Sequence, residues 1–409
     1  MYRIIILTFS VLIILSIVSG CSDRGVTSVS EKYPSGIICN AQHVFKEQLG
    51  NSMFEPPSTL VIFKVYIPDS TVSGYGQQGQ GKPLPVLYML SPFKEDESFY
   101  FSHGLQDVAD RMIAAKEIRP MMIVCVGGVN GFGGSFYGNS EAGGKYAELI
   151  GKKTGNNNLQ LSMTLIDYVD AVFNTIPTRD LRAISGAEMG GYGAMRIAIE
   201  YSENFSSVSS VSAPLDFDGA SGDSGFIPLF RQVVDELDTS YRYMDTSNAH
   251  PLQTIFIAAS TSFSPHDTGV VDVGINGDGK ITDMTTYFHP FSSIEYHLPF
   301  DSAGEVYQPI WNLWLANNPP NMLTTKYAHS LDSTAILLMA HPEALYGYYQ
   351  QTADFHTYLS GQGVDHTYLE FRGYPDFPAT AHRFIYDVLP KILKFHSDHF
   401  VVPEYRVRA

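Results

Sequence analysis

The stretch Leu181 to Tyr201 reads LRAISGAEMGGYGAMRIAIEY and holds a carboxylate in a setting suited to a nucleophile. Gly186 and Gly190 bracket Glu188 as Gly-x-Glu-x-Gly, with further glycines at 191 and 193. A short apolar run precedes the glycines, and a helical pattern through Met195, Ile197, Ala198 and Ile199 follows, so the segment predicts strand, sharp turn, helix. In the pattern G-x-S-x-G, flanking glycines let a strained turn push a serine hydroxyl into a site. Glutamate at that position offers no hydroxyl for a base to deprotonate. Its carboxylate could attack an ester only by forming a mixed anhydride, higher in energy than the ester it came from.

A second cluster of oxygen-bearing residues lies at 272–283, DVGINGDGKITD. Asn276 and Asp278 stand two apart, with Gly279 for the turn, as in a calcium loop. In that register Gly274 and Thr285 take the first and twelfth positions, and neither supplies the expected carboxylate. An ordinary Asn-Gly-Asp-Gly turn is therefore the favoured reading, with calcium at Asn276 and Asp278 the alternative. No other cofactor is expected.

The elements that must position Glu188 follow from apolar runs and their spacing. TLVIFKVY (59–66), PVLYML (85–90) and MMIVCV (121–126) read as strands, the last two apolar throughout, as in a sheet buried on both faces. Helices are predicted over 101–116 and 159–173, and a strand over 205–213. After a break, a strand at 334–339, a helix at 348–359, a strand at 366–371 and a closing helix over about 382–400 complete the order. Strands alternating with helices predict an α/β fold with a mostly parallel central sheet flanked by helices. Between about 218 and 333 the periodic order breaks down, and this stretch reads as an inserted cap or lid above the carboxyl edge of the sheet.

The chain begins with Arg3, an uncharged apolar run from Ile4 to Val18, and then Val18-Ser19-Gly20-Cys21. The run is too short to favour a spanning helix, and residues 1–20 read as a cleaved secretory signal. Small residues directly before Cys21 resemble the bacterial lipobox. That resemblance implies lipid attachment at Cys21 and a tether and N-terminal segment over 21–56, ahead of the main domain over 57–409. The expected location is the cell envelope, with Ser22 pointing to the outer membrane. Cys125, within an apolar run, reads as a buried free thiol and not as a partner of Cys39. The formal charge of −16 excludes a general nucleic-acid binder.

The order of Val65-Tyr66-Ile67-Pro68, Pro85 to Leu90, Ser135-Phe136-Tyr137-Gly138-Asn139-Ser140, Met189-Gly190-Gly191-Tyr192-Gly193-Ala194 and His382 resembles the esterase family of α/β-hydrolases. That family includes feruloyl esterase modules, S-formylglutathione hydrolases and antigen 85 mycolyltransferases. The resemblance covers roughly 59–217 and 306–400. It implies the α/β-hydrolase fold and places Glu188 where the nucleophile serine stands, His382 as the histidine and Glu343 as the nearest candidate for the acid, with Asp354 and Asp365 as weaker ones. Met189 N–H would give one oxyanion donor. The second would come from the loop at Ser91, where this chain has Ser91-Pro92-Phe93 in place of the family's His-Gly pair. These departures imply a degenerate member that binds an ester or carbohydrate ligand instead of hydrolysing it. The competing reading is an active hydrolase, including one in which Glu188 attacks saturated carbon with His382 as its partner.

Overall fold

The computed structural model describes residues 36–45, 59–70, 82–140, 143–154, 163–173, 175–219, 224–236, 251–265, 286–288, 295–301, 303–342, 344–371 and 387–401. Eight strands form one sheet: β1 Ile37–Phe45, β2 Thr59–Ile67, β3 Val86–Leu90, β4 Met122–Val126, β5 Arg182–Ala187, β6 Ser207–Val211, β7 Ala335–Ala340 and β8 Thr367–Glu370. Their spatial order is β1-β2-β4-β3-β5-β6-β7-β8. The six from β4 to β8 run parallel, and β1 and β2 join antiparallel at one edge. This is the mostly parallel sheet that the alternation of apolar runs and helices predicts, in the α/β-hydrolase arrangement that the family resemblance implies.

Helices cover both faces, which is why β3 and β4 carry no polar face. The labelled helices are α1 Leu105–Ala114, α2 Tyr146–Gly151, α3 Leu165–Val172, α4 Met189–Glu200, α5 Ile227–Glu236, α6 Pro251–Phe263, α7 Gln308–Leu315, α8 Pro319–Thr324, α9 Tyr348–Gln362 and α10 Leu389–His399. Val86, Tyr88 and Leu90 pack with α3, α4 and α9 on one face, while Leu87 and Met89 pack with α1 and α10 on the other. Cys39 and Cys125 belong to opposite faces, so the sheet itself separates them, and Cys125 is a buried free thiol.

Three expectations change in detail. β1 escapes sequence reading because its polar residues, Asn40, Gln42 and His43, do not alternate cleanly with apolar ones. The helix predicted over 101–116 is broken: Phe99–Ser102 forms one turn, Gly104 takes a left-handed φ of 82°, and α1 starts after it. The insertion is also more than a cap, because its described parts are sunk into the core beside α4. Tyr192 of α4 packs on Phe217 and Phe263, which meet Phe226 and Trp314, and the cluster continues through Phe256, Phe230 and Phe300. Trp314 secures its indole by donating Nε1–H to Ser264 Oγ at 3.0 Å.

Among the described residues no helix is long and apolar enough to cross a membrane. The lipidation candidate Cys21 and the calcium candidates Asn276 and Asp278 lie outside the described residues.

Candidate active site

The parallel strands send their carboxyl ends to one edge, so the segments after β3 (Ser91), β4 (Gly127), β5 (Glu188), β6 (Ser212) and β7 (His341) converge there. Glu188 occupies the turn between β5 and α4 with φ 51° and ψ −119°, a strained conformation for any residue with a side chain. Two backbone bonds hold it. Its N–H donates to Val211 O at 2.9 Å, and its carbonyl accepts from Tyr192 N–H at 3.0 Å.

The elbow glycines are fixed by contact. A Cβ on Gly186 would lie 2.0 Å from Gly190 O, and one on Gly191 would lie 2.8 Å from Ser210 Oγ. Strain extends around the same edge, where Phe136, Tyr137 and Ser212 also take positive φ, at 44°, 46° and 44°. Tyr137 braces this edge by donating its hydroxyl to Ser91 O at 3.0 Å and Val126 O at 3.1 Å, with its ring against Gly193.

The Glu188 side chain is partly buried and makes no hydrogen bond among the described residues, not even to the open amides of its own helix. Burial pushes its carboxyl up to about 7, and the negative field of Glu95 adds to the rise. The positive end of α4 acts in the opposite direction, but that effect is worth only about 0.3–1 kcal/mol, under one pKa unit. Burial therefore wins, and near neutral pH the carboxyl is present in both protonated and ionised forms. Glu188 is also felt by two buried tyrosines, Tyr348 and Tyr100, whose hydroxyls burial pushes well above their ordinary range, with Glu188 as a further cause.

Ser91 does not serve as an oxyanion donor. Its N–H donates to Val126 O at 3.1 Å, and its Oγ is bonded to Asp96 O at 2.6 Å and Val126 O at 3.1 Å, so both of its donors are committed. Pro92 has no N–H to offer. The next amide, Phe93 N–H, has no acceptor among the described residues. Met189 N–H, in the first turn of α4, has no intrahelical acceptor either. The two residues are brought together at Gly134, where a Cβ would lie 2.5 Å from Met189 Sδ and 2.6 Å from Phe93 Cδ2. Phe93 N–H is thus an open amide beside the elbow that sequence reading did not single out.

His382 and Glu343 lie outside the described residues. At the end of β7, His341 N–H donates to Ser212 Oγ at 3.1 Å, and Ser212 N–H donates to Met339 O at 2.8 Å. The other acid candidates are placed elsewhere: Asp354 accepts from Ser224 Oγ and from Gln350 Nε2, and Asp365 is exposed. Among the described residues no group of three or more His, Cys, Asp or Glu side chains gathers as a closed metal site would require.

Residues 61–260 match the family model described as "Putative esterase". Esterase Rv1288 of Mycobacterium tuberculosis is 29% identical over 138 residues, a stretch covering 33% of this chain and 26% of that protein. The chain thus matches about a quarter of that relative's length. Among solved structures, a ferulic acid esterase superposes with a TM-score of 0.50 at 16% identity, covering 90% of this chain and 100% of the other. An S-formylglutathione hydrolase from Agrobacterium tumefaciens gives 0.51 at 13% identity, covering 90% and 97%. At these identities the structural likeness is one of fold. Match, topology and elbow geometry agree: residues 61–260, which carry Glu188, are similar to the esterase family, and the chain has the α/β-hydrolase fold.

Proposed function

We propose that this chain is an exported lipoprotein that binds an ester-bearing ligand, an acyl ester or a carbohydrate ester, at the elbow without forming an acyl-enzyme. Glu188 is the observation that carries the reading: the strained backbone of a nucleophile turn is kept, while a carboxyl titrating near 7 stands where a hydroxyl would be. In its neutral form that carboxyl donates a hydrogen bond to a ligand carbonyl, with Met189 N–H and Phe93 N–H as further donors. In its ionised form it favours the imidazolium of a neighbouring histidine, the place the family resemblance gives His382, and an imidazolium cannot act as a base. Neither form completes acyl transfer. Export and attachment at Cys21 rest on the apolar run and the small residues that precede the cysteine.

The reading is tested with the full chain against p-nitrophenyl acetate and butyrate. No turnover is expected above the uncatalysed rate, and Glu188→Ser is the variant expected to gain activity. Wild-type turnover abolished by both Glu188→Gln and His382→Ala overturns the reading and makes Glu188 a working nucleophile. Anchoring is checked separately by metabolic labelling with a radioactive fatty acid in a bacterial host, with incorporation expected in the wild type and lost in Cys21→Ala.

A further inference from the structure

Away from the elbow, two elements on one side of the sheet bring a pair of histidines together. His356 lies in α9, and His366 directly precedes β8, the edge strand. Both rings are half-buried, and His356 Nδ1 stands 2.6 Å from His366 Nε2. Because β8 runs parallel to β7, its start lies at the amino edge of the sheet, opposite the edge where Glu188 stands. Along α9, His356 follows Tyr348, the residue whose hydroxyl Glu188 influences, by eight residues, or about 12 Å at ~1.5 Å per residue. The pair is a separate place in the molecule.

Each ring is held from its far side. His366 Nδ1 lies 2.8 Å from Val364 O, which can only accept, so in the neutral ring Nδ1 carries the proton and the Nε2 lone pair faces His356. The His356 ring lies flat on Tyr368, with centroids 4.3 Å apart and planes 5° from parallel. A ring N–H given to a backbone carbonyl is the support that metal-ligating histidines use, because it fixes the tautomer and makes the opposite nitrogen more basic. As the pair stands, His356 Nδ1–H donates to the His366 lone pair. Transfer of that proton through solvent to His356 Nε2 turns two lone pairs onto one point, and neither ring changes charge. Tetrahedral zinc, with bonds of about 2.0–2.1 Å, sets two nitrogen ligands about 3.3 Å apart, so from 2.6 Å the rings part by only about 0.7 Å. Calcium and magnesium call for oxygen ligands, whereas imidazole nitrogens suit zinc, copper and nickel. We infer that His356 and His366 bind a zinc-like divalent transition metal, with water completing its coordination, and that the ion clamps α9 to the start of the edge strand.

The test is calorimetric titration of the full chain in detergent micelles with zinc chloride, and with magnesium chloride as the hard-cation control. Zinc is expected to bind, with affinity falling tenfold or more in His356→Asn and in His366→Asn and unchanged in His329→Gln, which alters an exposed histidine paired with Asp332. Thermal unfolding of each variant confirms that it is folded. Should either pair variant not fold, labelling of the wild type with diethyl pyrocarbonate, mapped by mass spectrometry, takes its place. Zinc is then expected to protect His356 and His366 and to leave His329 as reactive as before. Failure of zinc to bind overturns the proposal, as does zinc binding that survives either pair substitution, displacement of zinc by equimolar magnesium, or labelling of the pair that zinc does not change. Because ester turnover is read at Glu188 and zinc affinity at His356 and His366, failure here leaves the elbow reading untouched, and the reverse holds too.

Discussion

Gly190 packs directly against the carbonyl of Leu90: a Cβ on Gly190 would lie 2.0 Å from that oxygen and 2.8 Å from Ser91 O. The first turn of α4 therefore rests on the end of β3, and the contact is backbone against backbone. Overpacking a core costs about 1–3 kcal/mol when side chains can adjust, and here they cannot. Gly190→Ala is expected to lose about 3 kcal/mol or more, read by urea denaturation. Gly361→Ala is the opposite case, since nothing lies within 4 Å of its Cβ position inside α9. That variant is expected to gain about 0.5–1 kcal/mol from helix propensity. Equal effects at the two sites would refute this account of the elbow.

Glu188 links stability to pH. Its folded value of about 7 lies above the ordinary 4.5, so between those pH values the native state binds more protons than the unfolded chain. Its contribution is fully present below about 4.5 and is lost as pH rises through about 7, at up to roughly 1.4 kcal/mol per pH unit. That slope is an upper bound, because the side chain keeps some contact with solvent. Glu188→Gln cannot ionise and is expected to melt several degrees above wild type at pH 8 but close to it at pH 4. Melting curves recorded across that range decide the matter.

Glu95 contributes to the same shift by like-charge repulsion. Glu95→Gln removes that charge and leaves burial, the larger cause, in place. The Glu188 carboxyl, followed by carbon-13 NMR, is expected to titrate lower than in wild type by less than one pH unit yet still above 4.5. A return to 4.5 would mean that burial is not the main cause.

His396 bridges two strand serines inside the core. Its Nδ1 lies 2.8 Å from Ser207 Oγ, its Nε2 lies 2.8 Å from Ser209 Oγ, and Ser209 donates onward to Ser185 Oγ at 2.7 Å. The chain of donors is consistent with a neutral ring protonated at Nε2 that accepts from Ser207. Burial, with the field of His399 adding to it, lowers this histidine to about 3. The unfolded chain then binds the extra proton between about 6.5 and 3, so stability is full above about 6.5 and falls as pH drops. His396→Leu leaves Ser207 and Ser209 without their partner and is expected to cost roughly 2–4 kcal/mol at pH 7 while flattening the acid limb. Denaturation at pH 7 and pH 5 measures both effects.

Glu188→Ser asks how much of the enzyme site survives around the elbow. Met189 N–H and Phe93 N–H are in place, so a serine with a working histidine should hydrolyse p-nitrophenyl butyrate at least tenfold faster than wild type. A silent Glu188→Ser would locate the loss in the histidine and acid segments as well as at the nucleophile.

The sequence by itself determined the parallel strands of the sheet and the elbow. Apolar runs such as PVLYML and MMIVCV admit little besides buried parallel strands, and Gly-x-Glu-x-Gly admits little besides a sharp strand-to-helix turn, because only residues without a Cβ fit its contacts. These signals are local, so they can be read one segment at a time. Only the tertiary structure decided what depends on distant segments meeting. Ser91 is spent on Val126, which leaves Phe93 to face Met189 across Gly134. The aromatic residues of 218–333, in their described parts, fill the core beside α4, and His396 reaches from α10 to its serines. Hydrogen-bond partners and burial arise between residues far apart in the chain, and it is burial that gives Glu188 a carboxyl poised near neutrality.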